Sequence, residues 1–229
     1  NEDLGVFGEV SFKPVPSVEI TVGGRYYDNK AVASVTNQSG YVSGSAVDLN
    51  GSVNQKENGF TPKATIALRP NDDFMAYITY SKGYRIGGIN PNAGLLPTIP
   101  TAYDSDTVDN YEAGVKFSAF DKRLLVDATV FNIDWNDIQA RLFGPFPNYY
   151  SYVTNAGSAN IMGVEFAGTY AFSRVVSFSS SVTYQNAKLT SFLPDTFAAG
   201  GGYSSGSTLP GSSKWTVANN LKFDFADMG

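Results

Sequence analysis

The stretch Thr107-Val108-Asp109-Asn110-Tyr111-Glu112-Ala113-Gly114-Val115-Lys116-Phe117-Ser118-Ala119 alternates in character residue by residue. Tyr111, Ala113, Val115 and Phe117 fall on one face, and Asn110, Glu112, Gly114, Lys116 and Ser118 on the other. Successive side chains of a strand point to opposite sides, so this is a strand with one apolar and one polar surface. The same period runs through Phe74–Ser81, Gly163–Phe172 and Trp215–Phe225, and more weakly through Leu4–Phe12, Val18–Tyr26, Pro62–Leu68 and Val176–Tyr184. One strand changes phase. Leu124, Val126, Ala128 and Val130 share a face, whereas Phe131, Ile133 and Trp135 lie on the other. Either a bulge near Val130 or a strand running past whatever its apolar face touches accounts for the switch.

Connections alternate as strictly as side chains. Lys13–Ser17, Pro70–Asp73, Asp121–Arg123 and Ser173–Arg174 are short turns. Long Gly-, Ser- and Asn-rich segments lie between them, roughly Asn29–Gly59, Ile86–Asp106, Phe143–Ser158 and Lys188–Ser213. About nine strands result. Two all-β architectures bury or shield an apolar face in this way. A soluble sandwich packs two apolar faces together. A transmembrane barrel turns them to lipid, with tight turns at one end and long loops at the other. The sorted loop lengths, the long strands Arg123–Gln139 and Val175–Lys188, and aromatics near both strand ends favour the barrel. Those aromatics are Phe12, Phe74, Phe120, Phe172 and Phe225 at the turn end and Tyr26, Tyr84, Trp135 and Tyr184 at the other.

Composition narrows the chemistry. Of 229 residues only 16% are charged and 14% are aromatic. No apolar run approaches the roughly 20 residues of a spanning helix. Cys and His are both 0, which removes disulfide frameworks, Cys/His metal sites and every histidine-based catalytic mechanism. The net charge of -5 speaks against nucleic acid as a partner. Gly83–Gly88 lacks a phosphate-loop pattern and a following helix. Asp104, Asp106 and Asp109 lack the spacing of a calcium loop and read as a solvated loop base. Glu112 and Glu165 sit on the polar face, where carboxylates are ordinary. No enzymatic activity, cofactor or metal is expected. Arg25, Lys63, Arg69 and Lys116 are expected in the lumen, either as a wetted wall or as contacts for material filling it.

An ordered set of motifs adds a resemblance. Tyr80-Ser81-Lys82-Gly83-Tyr84-Arg85-Ile86-Gly87-Gly88-Ile89-Asn90 resembles a strand and loop of TonB-dependent outer-membrane receptors. Tyr111-Glu112-Ala113-Gly114-Val115-Lys116, Phe131–Gln139, Asn155-Ala156-Gly157 with Gly163-Val164-Glu165, and Leu209–Trp215 are similar to that family's later landmarks, in the same order. The resemblance implies an antiparallel up-and-down barrel of about 22 strands enclosing an N-terminal plug. Residues 1–229 are then expected to be an internal part of one barrel domain, with the plug and the C-terminal strands lying outside this chain.

The function so implied is active uptake of a scarce nutrient across the bacterial outer membrane, with a ferric siderophore as the expected substrate. The expected partners are the lipid bilayer, the plug, the remaining strands and, through the plug, the TonB complex. A passive porin and a soluble carbohydrate-binding sandwich are the alternatives. With no histidine to ligate iron, a prechelated ion suits this chain better than a free one. Arg85, Arg141, Phe146, Tyr149, Tyr150, Tyr152 and Tyr203 are the expected ligand-binding residues, since loop aromatics and arginines suit a bulky anionic chelate.

Overall fold

The computed structural model describes residues 2–42, 45–90, 99–143, 151–194 and 202–224, with the side chains of 35–42 and 45–51 outside that description. Among the described residues fifteen strands occur in chain order: β1 (Glu2–Val15), β2 (Val18–Val42), β3 (Ser45–Asn71), β4 (Phe74–Arg85), β5 (Gly88–Ile89), β6 (Ala102–Tyr103), β7 (Asp106–Ala119) and β8 (Leu124–Asn136). They continue with β9 (Gln139–Phe143), β10 (Ser151–Asn155), β11 (Ala159–Ala171), β12 (Val176–Leu189), β13 (Leu193–Pro194), β14 (Gly202–Tyr203) and β15 (Trp215–Phe223).

Nine of them form one antiparallel meander, in the order β1-β2-β3-β4-β7-β8-β11-β12-β15. These correspond to the nine strands read from the sequence. The other six pair off as short ribbons, β5–β6, β9–β10 and β13–β14, each carried by a long connection at the same end of the wall. The 13 residues of β8 rise about 43 Å and climb about 30 Å at a 45° tilt, which matches a bilayer core.

The two faces of the wall differ in kind. Val6, Val10, Phe12, Val22, Ile66, Ile78, Val115, Val130, Val164, Phe166, Val217 and Leu221 share one face and are all exposed. Among the described residues no second sheet covers them. A sandwich would bury that face, so this is the pattern of a wall that meets lipid. The opposite face carries cross-strand polar pairs. Lys63 reaches Glu9 at 3.4 Å, and Arg69 reaches Glu19 at 2.5 Å. Lys116 reaches Asp127 at 2.5 Å, and Thr65 and Thr79 share a hydrogen bond of 3.0 Å. Three of the four expected lumen cations are thus paired within the wall. Arg25 instead lies across Gly5.

Aromatic rings repeatedly lie against a glycine directly across a strand pair: Tyr27 at Gly59, Tyr77 at Gly114, Tyr103 at Gly88 and Phe131 at Gly163. A Cβ on Gly114 would stand 2.7 Å from three atoms of Tyr77. The missing side chain lets the ring fold down over the neighbouring backbone.

The structure resolves the phase change in β8. Its register with β7 and with β11 is unbroken from Leu124 to Trp135, so no bulge is present. The strand simply outruns the apolar surface. Beyond Val130 its outward residues are Asn132 and Asp134, level with Tyr111 and Asp109 of β7. Inward, Phe131 packs on Gly163 and Trp135 enters the base of the loops. Apolarity changes sides where the outward residues turn polar and the base of the loops begins inside.

Two expectations are corrected. Asn29–Gly59 is not a free loop. β2 and β3 continue as a paired ladder from Ala31↔Gln55 to Val42↔Ser45, with a register shift between Val35 and Gln38. About 12 further residues of each strand carry this arm roughly 40 Å past the point where β1 stops pairing. Backbone pairing sustains it despite a composition that reads as coil. Trp135 is not part of an outer aromatic belt, and Tyr84 stacks on Tyr27 with centroids 3.7 Å apart. Tyr26, Tyr80, Tyr111, Tyr184 and Trp215 occupy the loop-side rim of the apolar face, where Tyr80 meets Tyr111 and Tyr184 meets Trp215.

Candidate functional site

The loop end is built where the wall strands stop pairing. β3 and β4 part above Lys63↔Ser81, and β4 continues alone with β7 up to Arg85↔Asp106. The ribbon β5–β6 packs against β2 and β3 at this split. Polar side chains of β3 hold it by its backbone. Glu57 accepts from Gly87 N at 3.3 Å and from Ser105 N at 2.8 Å, and Gln55 donates to Tyr103 O at 2.6 Å.

The ribbon β9–β10 begins with a backbone break. Asp137 adopts φ 55°, a left-handed conformation that a short polar residue tolerates, and it turns the chain out of β8 into a new pairing. Gly157, at φ 85°, makes the return turn into β11. Beneath the ribbons lies a small core of Ile138, Ala159 and Leu189, backed by Trp135, Leu193 and Leu209.

A polar knot joins the elements. Asp106 is 2% exposed. Its carboxylate accepts from Arg85 Nε at 3.2 Å and from a second Arg85 nitrogen at 2.5 Å. It also accepts from Trp135 Nε1 at 3.1 Å and from Gln139 N at 3.3 Å. The Gln139 amide donates to the carbonyls of Arg85, Ile86 and Asp104. Asn155 donates to the carbonyls of Asp104 and Asp137 and accepts from Asp104 N at 2.7 Å. The fragments that carry the sequence resemblance, near residues 85, 135–139 and 155, therefore meet in space. Their residue types suit capping of loop backbone: an amide both donates and accepts, and arginine forks onto a carboxylate.

The seven expected ligand-binding residues distribute as follows. The Arg85 side chain remains 54% exposed although it is paired with Asp106, and its guanidinium lies 5.9 Å from the Trp135 ring centre. Arg141 is exposed on β9, opposite Val153 of β10. Tyr152 is half-buried and pairs with Leu142, which places it on the other face of the ribbon from Arg141. Tyr203 is exposed on β14, opposite Leu193. Phe146, Tyr149 and Tyr150 lie outside the described residues. Arg141 and Tyr152 therefore share a ribbon without sharing a surface.

Sequence reading missed Asp106, Asn90 and Glu57 as structural centres. Asp106 is buried and bound, where a solvated loop base was expected. The signal that could have found it was the coincidence of Arg85, Trp135 and Gln139 within the ordered motifs, because an arginine, an indole and an amide donate toward a common acceptor. Asp109, also expected to be solvated, accepts from Tyr80 at 2.7 Å and pairs with Lys82 at 3.5 Å.

Comparison with known proteins gives this architecture its context. The sequence model described as TonB dependent receptor-like, beta-barrel matches residues 1–228. The fold is similar to the ferric yersiniabactin uptake receptor FyuA from Yersinia pestis, with TM-score 0.71 and 15% identity over 96% of this chain and 30% of that one. It is similar to the siderophore receptor PiuA from Acinetobacter baumannii, with TM-score 0.70 and 16% identity over 96% and 31%. It is also similar to the ferric-catecholate import receptor Fiu from E. coli, with TM-score 0.63 and 17% identity over 98% and 32%. The chain thus spans less than a third of each of these receptors. Matched over residues 1–228, and with an apolar outer face, a paired polar inner face and its described ribbons at one end, this chain belongs to the TonB-dependent receptor β-barrel family.

Proposed function

We propose that the chain forms about nine strands of the wall of a bacterial outer-membrane receptor that imports a ferric siderophore by TonB-driven transport. The observation that carries this reading is the family match over residues 1–228, joined to ribbons gathered at a single end of the wall. Three structurally similar proteins are a ferric yersiniabactin uptake receptor, a siderophore receptor and a ferric-catecholate import receptor. The absence of histidine and cysteine suits recognition of a prechelated ion, which needs stacking and charge and no protein ligands.

In this reading the apolar face meets lipid, and the short turns lie on the periplasmic side. The arm of β2 and β3 and the three ribbons face outward. Arg85, Arg141, Phe146, Tyr149, Tyr150, Tyr152 and Tyr203 are the candidate chelate contacts, the arginines through its negative charge and the aromatics by stacking, with Arg141 and Tyr152 serving from opposite faces of their ribbon. The remaining strands and the plug come from the rest of the polypeptide. The plug couples to TonB, while the wall contributes capture and a path. That path is lined by cations already neutralised by Glu9, Glu19 and Asp127. The protein moves its ligand and does not transform it.

The test is uptake of radio-iron from iron-starved culture supernatant by cells carrying the full-length receptor. Deleting the receptor is expected to abolish uptake, and dissipating the proton gradient to stop it. Changing Tyr149, Tyr150 and Tyr152 together to Ala should lower it with surface expression intact. Uptake that survives the uncoupler would point to a passive porin. Uptake that survives the triple change would remove this loop from the site.

A further inference from the structure

Asn90 is 3% exposed, and its carboxamide is fully engaged. Its Oδ1 accepts from Val153 N at 2.7 Å, and its Nδ2 donates to Val153 O at 2.7 Å. This is the hydrogen-bond pattern of an antiparallel strand neighbour, supplied by a side chain across 63 residues of sequence. Nδ2 also donates to Pro100 O at 3.0 Å, and Asn90 N donates to Thr101 O at 3.0 Å. Asn90 therefore grips two segments at once, its own returning loop and β10. The residue it grips, Val153, stands directly opposite Arg141 and next to Tyr152.

None of this supports the wall. The nine wall strands complete their ladders without Asn90, whose links among the described residues run between loop elements. Its amide is the closure at the far end of an assembly whose near end is the Asp106 knot. Between the two, the loop after β4 and the loop after β8 are tied at Asp106 through Gln139, at Asp104 through Asn155, and at Asn90 through Val153. A ribbon of five residues a side is too short to hold its own orientation, because isolated hairpins are marginal. Contacts outside it must fix its angle: the core around Ile138 and the backbone bonds at Gly157 and Ala156 hold its base, and Asn90 holds it at Val153.

We infer that Asn90 is a positioning residue that fixes the β9–β10 ribbon against the neighbouring loop, so that Arg141 and Tyr152 are presented in one orientation. The inference deepens the proposed function by naming what holds its ligand surface. The decisive variant is Asn90→Asp, which keeps the shape. It replaces the double donor by an acceptor facing the carbonyls of Val153 and Pro100, turning two attractions into repulsions. Asn90→Ala removes the grip without repulsion and should act in the same direction, more weakly.

The full-length receptor should carry nitroxide labels on cysteines introduced at Arg141 and Arg174, on the ribbon and on a turn at the opposite end of the wall. This chain holds no cysteine of its own to compete for label. The distance distribution between the labels should be narrow in the parent and about twofold broader in Asn90→Asp, with unchanged barrel assembly in lipid. A distribution as narrow as the parent's in both variants would overturn the inference. Radio-iron uptake from iron-starved culture supernatant, measured on the same Asn90 variants without the labelling cysteines, separates the two readings. A broadened ribbon with normal uptake would uphold the positioning role and refute the ribbon as the chelate surface. Broadening together with reduced uptake would support both.

Discussion

Gly114→Ala offers a sharp test of how the wall is packed. The new methyl would stand 2.7 Å from Cε1, Cζ and the hydroxyl of Tyr77, with no backbone atom among its three nearest neighbours. The ring must therefore move. Its hydroxyl would leave Glu112, to which it donates at 2.5 Å, and Thr129, which it meets at 3.1 Å. Each lost hydrogen bond costs about 1 kcal/mol, and the displaced ring about 1 more. Replacing glycine in a strand returns about 0.5–1 kcal/mol through the unfolded chain. The net expectation is a loss of about 2 kcal/mol. With Tyr77→Ala already in place there is no ring to displace, so Gly114→Ala should then be neutral or slightly stabilising. The double-mutant cycle should show non-additivity of about 2–3 kcal/mol. Guanidinium unfolding of the full-length receptor in phospholipid vesicles, followed by tryptophan fluorescence, measures each corner. If Gly114→Ala costs the same with and without the Tyr77 ring, the glycine serves backbone geometry and the ring-over-glycine account is wrong.

Adjacent residues of β12 should respond oppositely to charge. Val182→Arg faces lipid beside Phe166 and Val217 and should cost about 2–4 kcal/mol near the bilayer centre, whereas Ser181→Arg faces the lumen and should cost little, as read by the same unfolding assay. Lys116→Ala should lower stability by less than about 1 kcal/mol, because both partners of its pair with Asp127 are substantially exposed; a larger loss would mean that the lumen wall is drier than its exposure indicates. Asp106→Asn should cost more than Lys116→Ala, since the Asp106 carboxylate is buried among several donors, and its effect should concentrate in faster hydrogen exchange at residues 86–90 and 137–142.

The wall was legible in the sequence because a bilayer imposes period-2 alternation along every strand, and that signal survives in each residue from Tyr111 to Phe117. The arm beyond Lys30 was not, because Val32 and Val35 break the period-2 phase among Ala, Ser, Asn and Gly, and its pairing shows only in the backbone register. In β8 the apolar residues change sides at Phe131, and only the neighbours across the ladder show why: Gly163 leaves room inward, while Asn132 and Asp134 end the apolar strip outward. For the candidate site, alternation could have warned that Arg141 and Leu142 diverge. Placing Tyr152 required the register of β9 with β10, which no local pattern encodes. Asn90 and Asp106 gave no local sign either. A polar residue in a glycine-rich loop reads as solvated until its long-range partners are known.

The two polar systems of this chain are organised in contrasting ways, and the contrast bears on function. On the lumen face, Lys63, Arg69 and Lys116 each meet a carboxylate from another strand, and the partners stay open to solvent. Such pairs contribute little to stability. Each pair does neutralise its own charges locally, so under the proposed function a charged cargo would meet no unpaired lysine at Lys63 or Lys116. At the rim, the Asp106 side chain is only 3% exposed, and Arg85 forks onto it from β4 while Trp135 and the start of β9 donate to it. A carboxylate so enclosed is costly to leave unpaired, which disfavours any arrangement of the loops that breaks the set. Under the proposed function, weak exposed pairs suit a surface that cargo slides past. A buried, fully committed carboxylate suits a scaffold that must hold short ribbons at a fixed angle. If the proposed import function holds, the wall is near-neutral at its pairs where the cargo passes and geometrically committed at the rim where it is captured.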